Sequence, residues 1–212
     1  LLGVPWPVSL PQNHGAHYSH ERLCISGIIL AVENNGSGNK MSERELIPVN
    51  IAVMTVSDSR TEENDTSGQL LVQRLTEAGH TLAEKIIVPD DVYRIREIIS
   101  RWIADPGVFT IITTGGTGLT GRDITPEAVR PLLDKEIEGI GELFRWISYQ
   151  DIKTSTVASR ALGGVANGTF IFCLPGSTGA CRTGWDDLIG PQLDYRNSPC
   201  NMVELMPRLL EK

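Results

Sequence analysis

Hydrophobic residues follow two rhythms along this chain. From Val49 the stretch VNIAVMTV is apolar at nearly every position, interrupted only by Asn50 and Thr55. Such a run is a strand covered on both faces, as in a parallel sheet. Val108 to Thr113 is another mostly apolar run, and Leu82 to Val88 and Thr169 to Leu174 also read as strands. Between these runs the apolar spacing changes to three and four. Leu70, Leu71, Leu75 and Ala78 predict a helix that opens on a capping box at Thr66 to Gln69 and stops at Gly79. Val92, Ile95, Ile98, Ile99 and Trp102 predict one face of a second helix. Thr125, followed by Pro126, caps a third. Ile140, Leu143, Phe144 and Ile147 mark a fourth, and Cys181, Trp185, Leu188 and Ile189 a fifth. Strands alternating with helices through short joints predict βαβ units. The expected class is α/β, a three-layer αβα sandwich around a mostly parallel sheet.

Residues 1–40 lack this periodicity and end in the Gly/Asn-rich ENNGSGNK. They read as a disordered extension outside the native protein, with Met41 as the natural start and residues 41–212 as one domain. No basic leader or small-residue cleavage pattern marks a signal peptide. His14, His17 and His20 have the spacing of a helical metal site, and the preferred reading is a polar tail that happens to be histidine-rich.

Composition narrows the function. The chain has 212 residues, 41% of them hydrophobic and 21% charged, the balance of a soluble globular protein. A formal net charge of −7 argues against a nucleic-acid partner. It leaves room for an anion site built from backbone amides, which add nothing to the charge count. Cys24, Cys173, Cys181 and Cys200 form no CxxC pair, and His80 is the only histidine beyond the first twenty residues, so a zinc site in the body is not expected. Scattered thiols fit a reducing cytoplasm, and no apolar run has the length of a membrane span.

The candidate chemistry lies in loops that follow strands, where open parallel sheets bind ligands. These are SDSR (Ser57 to Arg60), PDD (Pro89 to Asp91), TTGGTGLTGRD (Thr113 to Asp123) and LPGST (Leu174 to Thr178). Gly115, Gly116, Gly118 and Gly121 allow positive φ and close approach to an anion; by themselves they also describe a flexible turn. Neither a Walker A loop nor GxGxxG is present. Asp123 is a complement to a helix dipole and Asp90 the N-cap of the Val92 helix, or the two are carboxylates that hold a cation against a bound polyphosphate. Ser177 is a helix cap or part of an anion site. Thr154, Ser155, Thr156, Ser159 and Arg160 bind phosphate or decorate a helix start.

Taken in order, TVSDSR, DTSG, VPDD, TTGGTGLTGRD with TPEA, EIEGIGELFR, TSTVASRA and LPGST resemble the MoaB/MogA proteins of molybdenum cofactor biosynthesis, over nearly all of residues 46–200. The resemblance implies a cytoplasmic molybdopterin-binding domain, a homotrimer or hexamer. It also implies an adenylyltransferase that moves AMP from Mg-ATP to the terminal phosphate of molybdopterin. By position, Asp90 and Asp123 would be the catalytic and Mg²⁺-binding aspartates. Ser57, Asp58, Gly115, Gly116, Thr117, Gly118, Glu142, Pro175, Gly176 and Ser177 would line the ligand site. The ending ACRTGWDDLIGPQLDYRNSPCNMVELMPRL resembles the MoaB branch, in which not every member is expected to adenylylate. A non-catalytic pterin-binding accessory protein of the same pathway is therefore the alternative. A generic nucleotide-binding regulator is a third reading, allowed by the glycine loop alone.

Overall fold

The structure, a computed structural model, describes residues 44–211; the expectations for residues 1–40 lie outside them. The apolar runs form β1 (Asn50–Val56), β2 (Thr81–Val88), β3 (Thr110–Thr114) and β6 (Thr169–Leu174), with β4 (Lys135–Glu136) and β5 (Leu162–Ala166) between them in the chain. They make one six-stranded sheet in the order β2-β1-β3-β6-β5-β4. β2, β1, β3 and β6 run parallel, and β5 and β4 continue the sheet antiparallel.

The helices are α1 (Thr66–Glu77), α2 (Val92–Ala104), α3 (Thr125–Val129), α4 (Glu138–Ile152), α5 (Thr178–Gly184) and α6 (Gly190–Leu193). The expected fifth helix is not uniform: after Gly184 it widens into a π turn at Trp185–Ile189. On one face of the sheet, Ala52, Met54, Val56, Ile111, Ile171 and Cys173 pack with Ile95, Ile98, Ile99 and Trp102 of α2 and with Ala128 and Val129 of α3. The alternate residues Ile51, Val53, Ile112, Phe170 and Phe172 are equally buried on the other face, the side of α1, α4 and α5. Both faces of β1, β3 and β6 are covered, which is why those strands are mostly apolar, whereas β2 at the sheet edge is fully buried only at Val88.

The helix starts differ from expectation in ways that matter for the site. Asp65, not Thr66, caps α1, its carboxylate accepting from the Gly68 N–H at 2.9 Å. Asp91, not Asp90, caps α2, accepting from the N–H groups of Tyr93 and Arg94 at 2.9 Å each. Such caps are worth about 1 kcal/mol. Thr125 does not cap α3; its hydroxyl donates to the Gly115 carbonyl at 2.8 Å and ties that helix to the glycine loop.

Candidate functional site

From β1 the chain moves to β2 on one side and then returns to place β3 on the other. That reversal of direction in an open sheet leaves a crevice at the carboxyl ends of the strands. A cleft of about 840 Å³ lies there. Its lining includes Ser57 and Asp58 after β1, Asp90 after β2, Thr114 to Gly118 and Asp123 after β3, and Pro175 to Ser177 after β6. The loops singled out from the sequence thus converge on one cavity.

The floor is main chain held by its own geometry. Gly115 and Gly116 adopt φ of +103° and +64°. A Cβ on Gly115 would stand 2.2 Å from the Val56 carbonyl oxygen, and one on Gly116 would stand 2.3 Å from the Thr125 hydroxyl. Gly176 comes so close to the same turn that its Cβ would lie 3.1 Å from the Gly115 Cα. Hydrogen bonds fix this contact: the Gly115 N–H donates to Leu174 O at 3.0 Å, and the hydroxyls of Thr114 and Ser67 donate to Pro175 O and Gly176 O at 3.0 and 2.8 Å. The Ser177 hydroxyl accepts from the Ala180 N–H at 3.1 Å, capping α5.

Carboxylates gather above this floor. Asp58 and Asp90 bind each other's main chain, Asp58 N–H to Asp90 Oδ2 at 3.2 Å and Asp90 N–H to Asp58 Oδ1 at 3.1 Å. Burial raises the Asp90 carboxyl above the usual range, and the charges of Asp58 and Asp123 raise it further. Asp123 moves the other way. Burial opposes its charge, but bonds from the Thr120 hydroxyl at 2.6 Å and the Thr120 N–H at 2.8 Å, with help from the Gly118 N–H, hold its carboxyl below the usual range. Two neighbouring carboxylates with opposite shifts mark a place where charge is managed locally. Among the described residues, no three His, Cys, Asp or Glu side chains form a metal-binding group.

Glu142 stands apart from the other expected residues. It faces a separate depression beside Arg130, Glu136 and Arg145, while α4 contributes Phe144, Ser148, Asp151 and Ile152 to the cleft. At about 100° per residue, Glu142 is rotated roughly 200° from Phe144 around the helix, so the two cannot share a face.

Sequence reasoning missed Asp65. It is fully buried beside the cleft, where its carboxylate accepts from the Thr55 hydroxyl at 2.9 Å and pairs with Lys85 at 2.9 Å. Burial disfavours its charge, but Lys85, the Gly68 N–H and Thr55 together hold its carboxyl low. The signal was DTSG itself, an aspartate directly before a helix start. Cys181 sits under the floor, 3.0 Å from the Thr114 hydroxyl, its thiol raised by burial to about 11 and so unsuited to attack.

Comparison with known proteins agrees with this architecture. The family described as "probable molybdopterin binding domain" matches residues 52–195. The chain is 54% identical over 157 residues to molybdenum cofactor biosynthesis protein B of Escherichia coli strain K12, covering 74% of this chain and 92% of that protein. A crystal structure of molybdenum cofactor biosynthesis protein B aligns with a TM-score of 0.69 at 46% identity, covering 71% of this chain and 94% of that one. The tungsten cofactor synthesizing protein MoaB from Pyrococcus furiosus aligns with a TM-score of 0.61 at 37% identity, covering 66% and 90% of the two chains. The matched span runs from β1 past α6 and contains every loop of the cleft, and the chain belongs to the MoaB/MogA family of molybdenum cofactor biosynthesis proteins.

Proposed function

We propose that this protein acts in molybdenum cofactor biosynthesis by binding molybdopterin and transferring AMP from ATP to its terminal phosphate. The observation that carries the reading is that Asp58, Asp90 and Asp123 line one cleft with the glycine main chain of the Gly115–Gly118 turn, the charges of Asp58 and Asp123 both raising Asp90. Carboxylates lining one cleft, one of them raised by its neighbours' charge, suit a site that receives a cation together with anionic ligands.

In such a transfer an oxygen of the pterin phosphate attacks the α-phosphorus of ATP, and the bond to pyrophosphate breaks. The protein's task is positioning and charge neutralisation. The Gly115–Gly118 turn lets ligand phosphates approach the backbone without a side chain in the way. Asp90 and Asp123 are the residues that would hold Mg²⁺, which neutralises charge between the two anionic substrates when bound. Ser57, Ser177 and Gly176 line the cleft beside β1 and β6, where they offer hydroxyl and main-chain groups to the second ligand.

The test is pyrophosphate release from Mg-ATP with purified molybdopterin, comparing wild type with Asp123→Asn. A loss of at least about tenfold in the variant is expected, in the range typical of lost electrostatic stabilisation. Equal rates would remove Asp123 from catalysis. One observation favours the second reading, a pterin-binding accessory protein: the Asp123 carboxylate is already engaged by Thr120 as a loop brace. Tight pterin binding without turnover in the wild type would decide for it.

The family resemblance also leads us to propose a cytoplasmic homotrimer or hexamer. Among the described residues no helix is long and apolar enough to cross a membrane. Leu143, Trp146 and Tyr149 of α4 leave an exposed apolar strip that such an assembly would cover.

A further inference from the structure

Arg160 lies between α4 and β5 and faces the depression on the far side of the glycine loop; it is not part of the cleft lining. Two arms of its guanidinium nevertheless reach that loop, and the third reaches the helix after it. Nε donates to the Gly118 carbonyl at 2.7 Å, Nη2 to the Asp123 carbonyl at 2.5 Å, and Nη1 pairs with the Glu127 carboxylate at the start of α3. Its own backbone N–H donates to the Thr117 carbonyl at 3.0 Å. Both ends of the loop and the helix after it are thus held by one side chain from outside.

The carbonyls of Gly118 and Asp123 are engaged by Arg160, a residue outside the cleft lining. A loop whose carbonyls are drawn to a cation behind it is one in which backbone oxygens do not confront an anionic ligand in front. The planar fork explains the residue type, because three donors in fixed directions match three separated acceptors, which a lysine ammonium does not reproduce.

We propose that Arg160 is a positioning residue that holds the Thr117–Asp123 loop in its ligand-receiving shape without touching the ligand. This deepens the adenylyl-transfer reading and rests on it for the kinetic part of the test. Arg160→Ala and Arg160→Lys are compared with wild type by steady-state kinetics in Mg-ATP and molybdopterin. Amide hydrogen exchange is measured over residues 114–125 and over β1 and β6, with added ethylguanidinium as a rescue agent.

The expected result for Arg160→Ala has three parts. Loop exchange becomes faster while strand exchange is unchanged, the KM for Mg-ATP rises roughly tenfold to a hundredfold, and ethylguanidinium restores both in part. Arg160→Lys falls between the two. Wild-type loop exchange in Arg160→Ala overturns the proposal, whatever the kinetics. Loss of turnover without faster loop exchange also overturns it and makes Arg160 a direct ligand contact. If wild type itself shows no transfer, the adenylyltransferase reading falls, and the exchange experiment still decides the role of Arg160.

Discussion

Asp58 and Asp90 are joined by a reciprocal pair of bonds, each carboxylate accepting the other's backbone N–H, at 3.2 and 3.1 Å. The pair locks the loop after β1 to the loop after β2. It also holds two negative groups side by side, at a cost that falls on Asp90, whose carboxyl is raised by burial and by the charges of Asp58 and Asp123.

Asp90→Asn is therefore expected to stabilise the free protein at neutral pH. A carboxyl raised above its ordinary 3.8 binds a proton more readily folded than unfolded, so ionising it disfavours the native state. The gain from asparagine should be full at neutral pH and fade as pH falls toward the ordinary carboxylate value. A rise in Tm of about 2 °C is the expected scale for a gain below 1 kcal/mol. An unchanged or lowered Tm at neutral pH would show that the crowding carries no cost.

Two glycines of one loop should respond unequally to alanine. Gly115 has φ of +103° and would press a Cβ to 2.2 Å from the Val56 carbonyl oxygen, whereas a Cβ on Gly121 would meet nothing within 4 Å. Gly115→Ala is expected to cost at least about 1–3 kcal/mol in urea denaturation. Gly121→Ala should stay within about 0.5 kcal/mol. Similar losses at both positions would mean that general loop flexibility, not the strained turn, sets the requirement.

His80 makes stability sensitive to mild acid. It is buried, accepts from the Val49 N–H through Nδ1 at 3.2 Å, and packs edge-on to Trp185 at 6.1 Å. Burial depresses its pKa below 6.5; the charge of Asp194 pulls upward and that of Arg196 downward, leaving it low. The unfolded chain then binds the proton first, so stability is full above 6.5 and declines as pH drops from there to the depressed folded value. Urea midpoints measured across that window should fall in wild type and run flatter in His80→Gln. Parallel curves would remove His80 from the pH response.

The parallel half of the fold was legible because burial on both faces of β1, β3 and β6 writes itself into mostly apolar runs. The antiparallel edge was not. β5 is Leu162–Ala166, with glycines at 163 and 164 where a Cβ would lie 2.7 Å from Ile140 and 2.5 Å from Leu133. Packing there demands the residue that strand propensity disfavours, so the strand was hidden by its own contacts. The loops of the cleft were legible by position after strands. The cap residues were displaced by one, Asp65 for Thr66 and Asp91 for Asp90, because Asp, Ser and Thr cap almost equally well and only backbone angles choose among them. Arg160 read as a phosphate candidate, since nothing in sequence tells whether a cation faces a ligand or a carbonyl.

The contact between Gly115 and Gly176 has a bearing on how the family can diversify. Where two main chains touch, there is no side chain to exchange, and a Cβ on Gly176 would crowd the Gly115 Cα at 3.1 Å. Mutation can break such a surface but has no means of retuning it. New ligand preferences must then arise on the surrounding walls, at positions such as Ser148, Asp151 and Ser155, which substitution can reshape while the floor stays as it is.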